Sequence, residues 1–369
     1  STIDLSQNID LVTLWCFRTN LTQIDVSDSP NLENYRVFNN SISTVDLSQN
    51  PNLEYIDLTG NNLGVLDISQ NVALRILDCP ANNLTSLDLS ANINLESIWC
   101  SGNPLNNLDT SHNINLKSLS CAYTPIINFD LSQNINLEFL SIFSSGLTSI
   151  DVSQNPSLTF IDVNHNNIST LDTSQNPILN TLLADNNQLV SLNLQNNPLM
   201  DWITVVDNNI EVLDFSQLPY LRYIDGRLNN LQTMTVKSGN NTFLSYCNLT
   251  DNPSLLCIEV DDVNYANSQS NWFKDPIANY SEECILDISS FSPEPSILLY
   301  PIPVKEKFYI KGATAANVKI KIFSVVGTEL FSKEIDGNTP VDLTNFDAGI
   351  YIVDIEQADK HYIKRIIKN

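Results

Sequence analysis

Basic residues are scarce in this chain: 18 Lys and Arg stand against 42 Asp and Glu in 369 residues, for a net charge of −24. That deficit excludes nucleic-acid phosphates and anionic membrane surfaces as partners, because both require clustered cations. Long apolar runs are missing as well. Nothing approaches the roughly 20 residues needed to cross a bilayer, so no membrane insertion is expected. Histidine is limited to His112, His165 and His361, too far apart in the pattern for a Ser-His-Asp or Cys-His pairing, and no phosphate loop, zinc signature or EF-hand loop occurs. The chain is therefore not expected to be an enzyme. It opens at Ser1 with no charged leader, which carries no information about compartment. Glycine is low at 10, yet asparagine reaches 50, and the apolar fraction of 42% is too high for a disordered acidic chain.

The asparagines follow a repeat. Asp4, Asp25, Asp46, Asp67, Asp88, Asp109, Asp130, Asp151 and Asp172 recur every 21 residues without a slip, and Asn193 and Asp214 continue the register. One asparagine series runs Asn50, Asn71, Asn92, Asn113, Asn134, Asn155, Asn176, Asn197; a second runs Asn61, Asn82, Asn103, Asn166, Asn187, Asn208, Asn229. Each unit thus has two sides ending in turns, where Asn tolerates unusual backbone angles and bonds nearby main-chain groups. Between the turns apolar residues alternate as in strands: Leu53, Ile56, Leu58, Asn61, Leu63, Leu66, Ile68.

This LxxLxLxxNxL pattern followed by LDI resembles the leucine-rich repeat family, in its bacterial class with nested halves of 10 and 11 residues. The resemblance implies an all-β-rich solenoid of about twelve coils with parallel strands over residues 1–256. One coil cannot bury its own apolar face, so neighbours stack on a shared core. Ser1 to Asn8 reads as half a repeat, so either further chain precedes it or these residues cap the first coil.

Cys16, Cys79, Cys100, Cys121 and Cys247 fall at inward positions and read as small core hydrophobes, although a metal or disulfide ladder through Cys79, Cys100 and Cys121 is the alternative. Cys257 and Cys284 flank a segment where the register stops. Residues 257–288 are expected to cap the last coil with Tyr265, Trp272 and Phe273. The segment resembles the C-terminal caps of secreted bacterial leucine-rich proteins, which implies a Cys257–Cys284 disulfide and an oxidising compartment.

Composition then changes. Through residue 296 there are 8 basic and 33 acidic residues; from Ile297 onward there are 10 and 9. SSFSPEPS, residues 289–296, reads as a linker, and residues 297–369 as a small β-sandwich built from KFYI, VKIKIFSV, ELFSKEI, GIYIVDIE and HYIKRIIKN. Tyr300, Pro301, Pro303, Gly327, Gly349, Tyr351 and Lys368 match the C-terminal sorting domain of the Bacteroidetes type IX secretion system, except that Ile302 stands where the family usually has Asn. That resemblance implies the type IX secretion machinery as a partner and a secreted or outer-membrane cell-surface location.

Two features remain as candidate sites. The nine stacked aspartates, about 5 Å apart, repel by roughly 0.8 kcal/mol per pair even in water. Local donors such as Ser48, Ser69, Ser90, Ser132, Ser153 and Ser174 are expected to answer this, with calcium as the alternative; no other cofactor or metal is expected. The second is the outer face of the LxxLxLxxN strands, which carries Trp15, Arg36, Tyr55, Asp57, Asp78, Trp99, Phe139, Phe143, Phe160, Asp162, Trp202, Tyr223 and Asp225. Exposed aromatics are unusual on a surface that needs only solubility. They read either as cross-strand ladders covering one another or as a recognition face for a protein, a peptide or a glycan. The chain is expected to be an exported, non-catalytic adhesin or receptor for a protein or peptide, with a carbohydrate-binding surface protein or a structural component of the surface layer as the alternatives.

Overall fold

The structure is a computed structural model that describes residues 2–284, 298–300, 304–311, 318–324, 328–336, 339–357 and 360–368. The linker 289–296, Pro301, Pro303 and Gly327 lie outside the described residues. Residues 1–284 and 285–369 separate into two compact units.

In the first unit the 21-residue step becomes a parallel sheet of thirteen short strands, from Thr13–Trp15 to Trp272–Lys274. Register is strict: Tyr55 faces Ile76, Ile56 faces Leu77 and Asp57 faces Asp78, each pair one repeat apart. In the three-residue strands from Thr13–Trp15 to Tyr223–Asp225 the middle residue points into the core, as in Ile56, Leu77, Ile98 and Leu119, all fully buried. A strand exposes alternate side chains, so the first and third residues are left outside. The step lengthens where Tyr223 pairs with Tyr246 and Cys247 with Trp272, so simple counting by 21 loses the register there. Thirteen strands form where about twelve coils are expected because the capping segment adds Trp272–Lys274 to the same sheet. On the opposite side strands pair only at the ends of the unit: Thr2–Ile3 with Gln23–Ile24, and a sheet from Val212–Asp214 to Asn279–Ser281.

The two asparagine columns are the main correction to the sequence reading. They are buried, and they join coils. Asn71 Nδ2 donates to the carbonyls of Leu47 at 3.0 Å and Asn50 at 2.8 Å, and the same bonds recur along the first column. In the second column Asn82 Oδ1 accepts from Leu63 N at 3.0 Å while its amide donates to Leu58 O and Cys79 O. The left-handed backbone expected of these asparagines belongs instead to the residue before each one of the second column. That place holds Gly60, Ala81, Gly102, His165, Asn186, Asp207 and Leu228. Asn is used here because its carboxamide both donates and accepts within one turn, which no apolar residue can do.

The end of the solenoid is closed by a short helix, Val263–Ser268, with Asp262 accepting from the amides of Asn264 and Tyr265. Trp272 is 7% exposed and donates Nε1–H to Leu244 O at 3.0 Å, while Tyr265 and Tyr280 meet its ring edge-on. Phe273 does not help close the end. It is 41% exposed, because it follows the inward-pointing Trp272 and so faces outward, in register with Asn248 and Asp225 of the preceding strands. Cys257 and Cys284 form a disulfide. Cys79, Cys100 and Cys121 are buried as core residues, but Cys100 is also joined to Cys121, a pairing that packing as free thiols did not include. Equivalent positions on adjacent coils lie 5.2 Å apart at Cα, within reach of a disulfide.

Among the described residues the second unit has seven strands in two antiparallel sheets. Leu298–Tyr300, Lys307–Lys311 and Val341–Asp342 form one; Glu329–Ile335, Val318–Ser324, Gly349–Gln357 and Lys360–Lys368 form the other. Alternation along VKIKIFS buries Val318, Ile320 and Ile322 against Phe308, Val353 and Ile366. Tyr351 donates its hydroxyl to Asp347 O at 2.8 Å and meets Phe346 edge-on; Gly349 pairs with Lys368, and the exposed Tyr300 ring lies beside Tyr309.

Candidate binding face

All thirteen residues read as candidate ligand contacts lie on the outer side of the thirteen-stranded sheet, but the fold sorts them into groups. At the N-terminal end Arg36 lies between two rings, its guanidinium carbon 4.8 Å from the centres of both Trp15 and Tyr55. Its Nε is buried without a hydrogen-bond partner, so the ring faces hold it. Phe17 and Phe38 stack alongside at 5.2 Å. In the middle Phe139 stacks on Phe160 at 4.5 Å and on Trp99 at 6.4 Å, and Trp99 Nε1 donates to Ser118 Oγ at 3.3 Å. Across the strands Phe143 meets Tyr123 edge-on at 4.9 Å. Towards the C-terminal end Trp202, Tyr223 and Tyr246 form a continuous stack at 3.7 and 4.4 Å, with Phe273 tilted beyond it at 6.0 Å.

Stacking does not hide these rings. Trp15, Trp99 and Trp202 remain 59%, 47% and 42% exposed, since a ring standing on a strand presents its edge to water even when a neighbour covers its face. Both readings of the aromatics therefore describe the same arrangement: cross-strand ladders whose edges form the surface.

The carboxylates fare differently. Asp57 and Asp225 are buried and serve the face itself. Asp57 Oδ1 accepts from Thr59 N at 3.1 Å, and Asp225 takes Arg227 through both oxygens, with Nε and Nη2 each at 2.9 Å. Asp78 accepts the Tyr55 hydroxyl at 2.7 Å; burial raises its carboxyl above the usual range, and the hydrogen bond from Tyr55 works against that rise. Burial likewise raises Asp162 and Asp185, the latter at the end of a coil the sequence reading passed over. Tyr246 was also missed because the longer coil before it breaks the 21-residue count, although its pairing with Tyr223 shows up as soon as a two-residue insertion is allowed.

The aspartate column lies elsewhere and is solvent-exposed. From Asp4 to Asp172 each Oδ1 accepts the main-chain N–H of the serine two residues on, or of its equivalent, at about 3 Å, as in Asp46 with Ser48 at 2.9 Å and Asp130 with Ser132 at 3.0 Å. Hydrogen bonds from that serine hold the carboxyls below their ordinary value. Among the described residues no three His, Cys, Asp or Glu side chains converge as a metal site would require.

Residues 298–369 match the family of secretion system C-terminal sorting domains. No curated protein matches the chain. Among solved structures it is similar to the functional domain of InlJ from Listeria monocytogenes, described as including a cysteine ladder, with 24% identity, a TM-score of 0.64, and coverage of 100% of this chain and 83% of that one. It is also similar to the internalin InlF from the same organism, at 22% identity and a TM-score of 0.58, covering 69% and 77% of the two chains. YopM, a leucine-rich effector protein from Yersinia pestis, matches at 21% identity and a TM-score of 0.55, over 70% and 75%. At these identities the likeness carries the fold alone. The chain is thus a leucine-rich repeat solenoid followed by a type IX secretion C-terminal sorting domain, and that domain directs it to the cell surface or beyond.

Proposed function

We propose that this is an exported, non-catalytic binding protein, an adhesin or receptor that captures a protein or peptide on the strand-lined face of its solenoid. The observation that carries the reading is the set of large rings standing edge-outward along one sheet, with Trp15, Trp99 and Trp202 each more than two-fifths exposed. Tryptophan and tyrosine offer broad contact at a low entropy cost, which is why they anchor protein interfaces. Saccharide recognition, the second reading, relies on open ring faces on which a sugar can lie. Here most faces are taken up by the neighbouring ring, so the arrangement favours a protein ligand over a glycan. With 33 acidic and 8 basic residues before position 297, a basic partner gains in association rate, and the gain falls with salt.

The test compares the parent protein with a variant carrying Trp15→Ala, Trp99→Ala and Trp202→Ala against a glycan array and a panel of basic proteins and peptides. Salt-sensitive protein binding that the triple variant loses is expected. Saccharide binding lost by the same variant would replace this reading with the second one, and protein binding that survives the substitutions would remove the face from consideration.

A further inference from the structure

One interruption in the aromatic columns has a defined shape. Phe160, Thr181 and Trp202 occupy the same outward position on three successive strands, in strict register. Phe160 stacks back onto Phe139 with planes 10° apart, and Trp202 stacks forward onto Tyr223 with planes 3° apart. Each ring therefore has one face covered by its own stack and the opposite face turned towards the strand between them. That strand offers only Thr181, whose hydroxyl is drawn aside to Asn180 Oδ1 at 2.9 Å. Strands lie about 4.8 Å apart, so Phe160 and Trp202 are about 9.6 Å apart at the backbone. Trp99 and Phe139, which also flank one strand, close that span by stacking at 6.4 Å, whereas Phe160 and Trp202 stack outward on Phe139 and Tyr223 and leave space for a single flat group.

The same protein fills such a span once. Trp15 and Tyr55 also stand two strands apart, on a diagonal since Tyr55 lies two residues before the register partner of Arg36, and the guanidinium of Arg36 on the strand between them sits 4.8 Å from each ring centre. At Thr181 the two rings share one register column and the residue between them is not an arginine.

We propose that the gap over Thr181 is an arginine slot, in which a guanidinium from a basic protein or peptide partner inserts between the free faces of Phe160 and Trp202 with Asp162 as counter-charge. This inference deepens the reading of the strand face as a binding surface and rests on it. A ring face carries negative potential, so a planar cation is favoured between two of them. Lysine suits the slot poorly, because its ammonium is compact and strongly hydrated while a guanidinium is flat and gives up water easily. Asp162 shares the strand of Phe160, two residues on and on the same outer side. Burial disfavours the charged form of Asp162 against the pull of the nearby His165, and an incoming cation would relieve it further. The cations of the next coil do not compete for the place, since Arg222 is paired with Asp201 and Arg227 with Asp225.

The test uses the full chain with 15N-labelled tryptophan and two peptides, acetyl-Gly-Arg-Gly-amide and its citrulline counterpart, which keeps the flat shape but lacks the charge. The Trp202 indole signal, assigned with Trp202→Leu, is expected to move on adding the arginine peptide and to stay in place with citrulline. Thr181→Arg, which fills the slot from within as Arg36 does, should weaken the arginine peptide at least about fivefold without lowering the melting temperature. Equal movement with citrulline, or binding unchanged by Thr181→Arg, overturns the slot. Capture of a basic protein by the solenoid separates this failure from that of the wider reading. If Thr181→Arg leaves capture intact while the triple tryptophan variant loses it, the slot is wrong and the face stands; if neither variant changes capture, the face itself falls.

Discussion

Replacing Asn134 by leucine should destabilise the solenoid far more than the same replacement one coil earlier, at Asn113. Both residues are fully buried members of the first asparagine column, and each amide donates to two carbonyls: Asn113 to Leu89 and Asn92, Asn134 to Thr110 and Asn113. Those carbonyls keep a second donor, since Leu89 O also accepts from Asn92 N, Asn92 O from Leu95 N, Thr110 O from Asn113 N and Asn113 O from Leu116 N. Losing two such bonds costs about 2 kcal/mol at either site. The difference lies in the other atom of the carboxamide. Asn113 Oδ1 is buried with no partner, so removing it recovers a desolvation penalty of about 1–3 kcal/mol. Asn134 Oδ1 accepts the Thr110 hydroxyl at 2.8 Å, and its loss strands a hydroxyl that is 1% exposed. Leucine itself fits the column, because Leu218 already occupies it. The expectation is a destabilisation of about −1 to +1 kcal/mol for Asn113→Leu against about 3–5 for Asn134→Leu. Adding Thr110→Val to Asn134→Leu should return at least about 1 kcal/mol, since no buried hydroxyl then lacks a partner. Urea unfolding followed by circular dichroism, with amide exchange at the two coils as a local readout, measures all three variants. Equal losses at Asn113 and Asn134, or no recovery in the double variant, would refute the assignment of the bonds.

The aspartates give a pH signature of known sign. The column from Asp4 to Asp172 is held below the ordinary value of 3.8, so its share of stability is complete above that pH and disappears as acid carries the protein through the lower folded-state values. Asp78, Asp162 and Asp185 are raised and act in the opposite sense, adding stability as pH falls through their folded values towards 3.8. The melting temperature should therefore hold level or rise slightly on moving from neutral pH to about 4 and fall steeply below it; a steady decline from neutral pH would contradict the balance. For the Cys257–Cys284 bridge, 27 residues apart, chain entropy predicts that Cys257→Ser with Cys284→Ser lowers unfolding free energy by about 3–4 kcal/mol, read by denaturant titration. A loss under about 1 kcal/mol would mean that the cap is held by Trp272 packing alone.

Much of this architecture was legible because a repeat writes the same physics at every step. A leucine that recurs at one position of each coil can be placed without knowing its neighbours, which is why the core, the parallel strands and the outward aromatic columns follow from spacing. Reading failed where one residue type serves two ends. The asparagines suit turns, and a turn role explains their frequency, but their amides span coils 21 and 24 residues apart, a contact that exists only once coils are stacked. Phe273 looked like a lid because it follows the last regular repeat, and became a surface ring because its strand joined the sheet with Trp272 inward and the next residue outward. Asp57 and Asp225 looked like ligand contacts and proved to be buried partners of the face.

By itself the sequence determined that this chain is a stacked solenoid with an export domain, since periodicity and local matching motifs need no long-range information. Only the tertiary structure decided which carboxylates are consumed internally, which sulfurs meet, and which rings stack on which. Those outcomes depend on distances between residues tens of positions apart, and stacking fixes them only when every coil is in place.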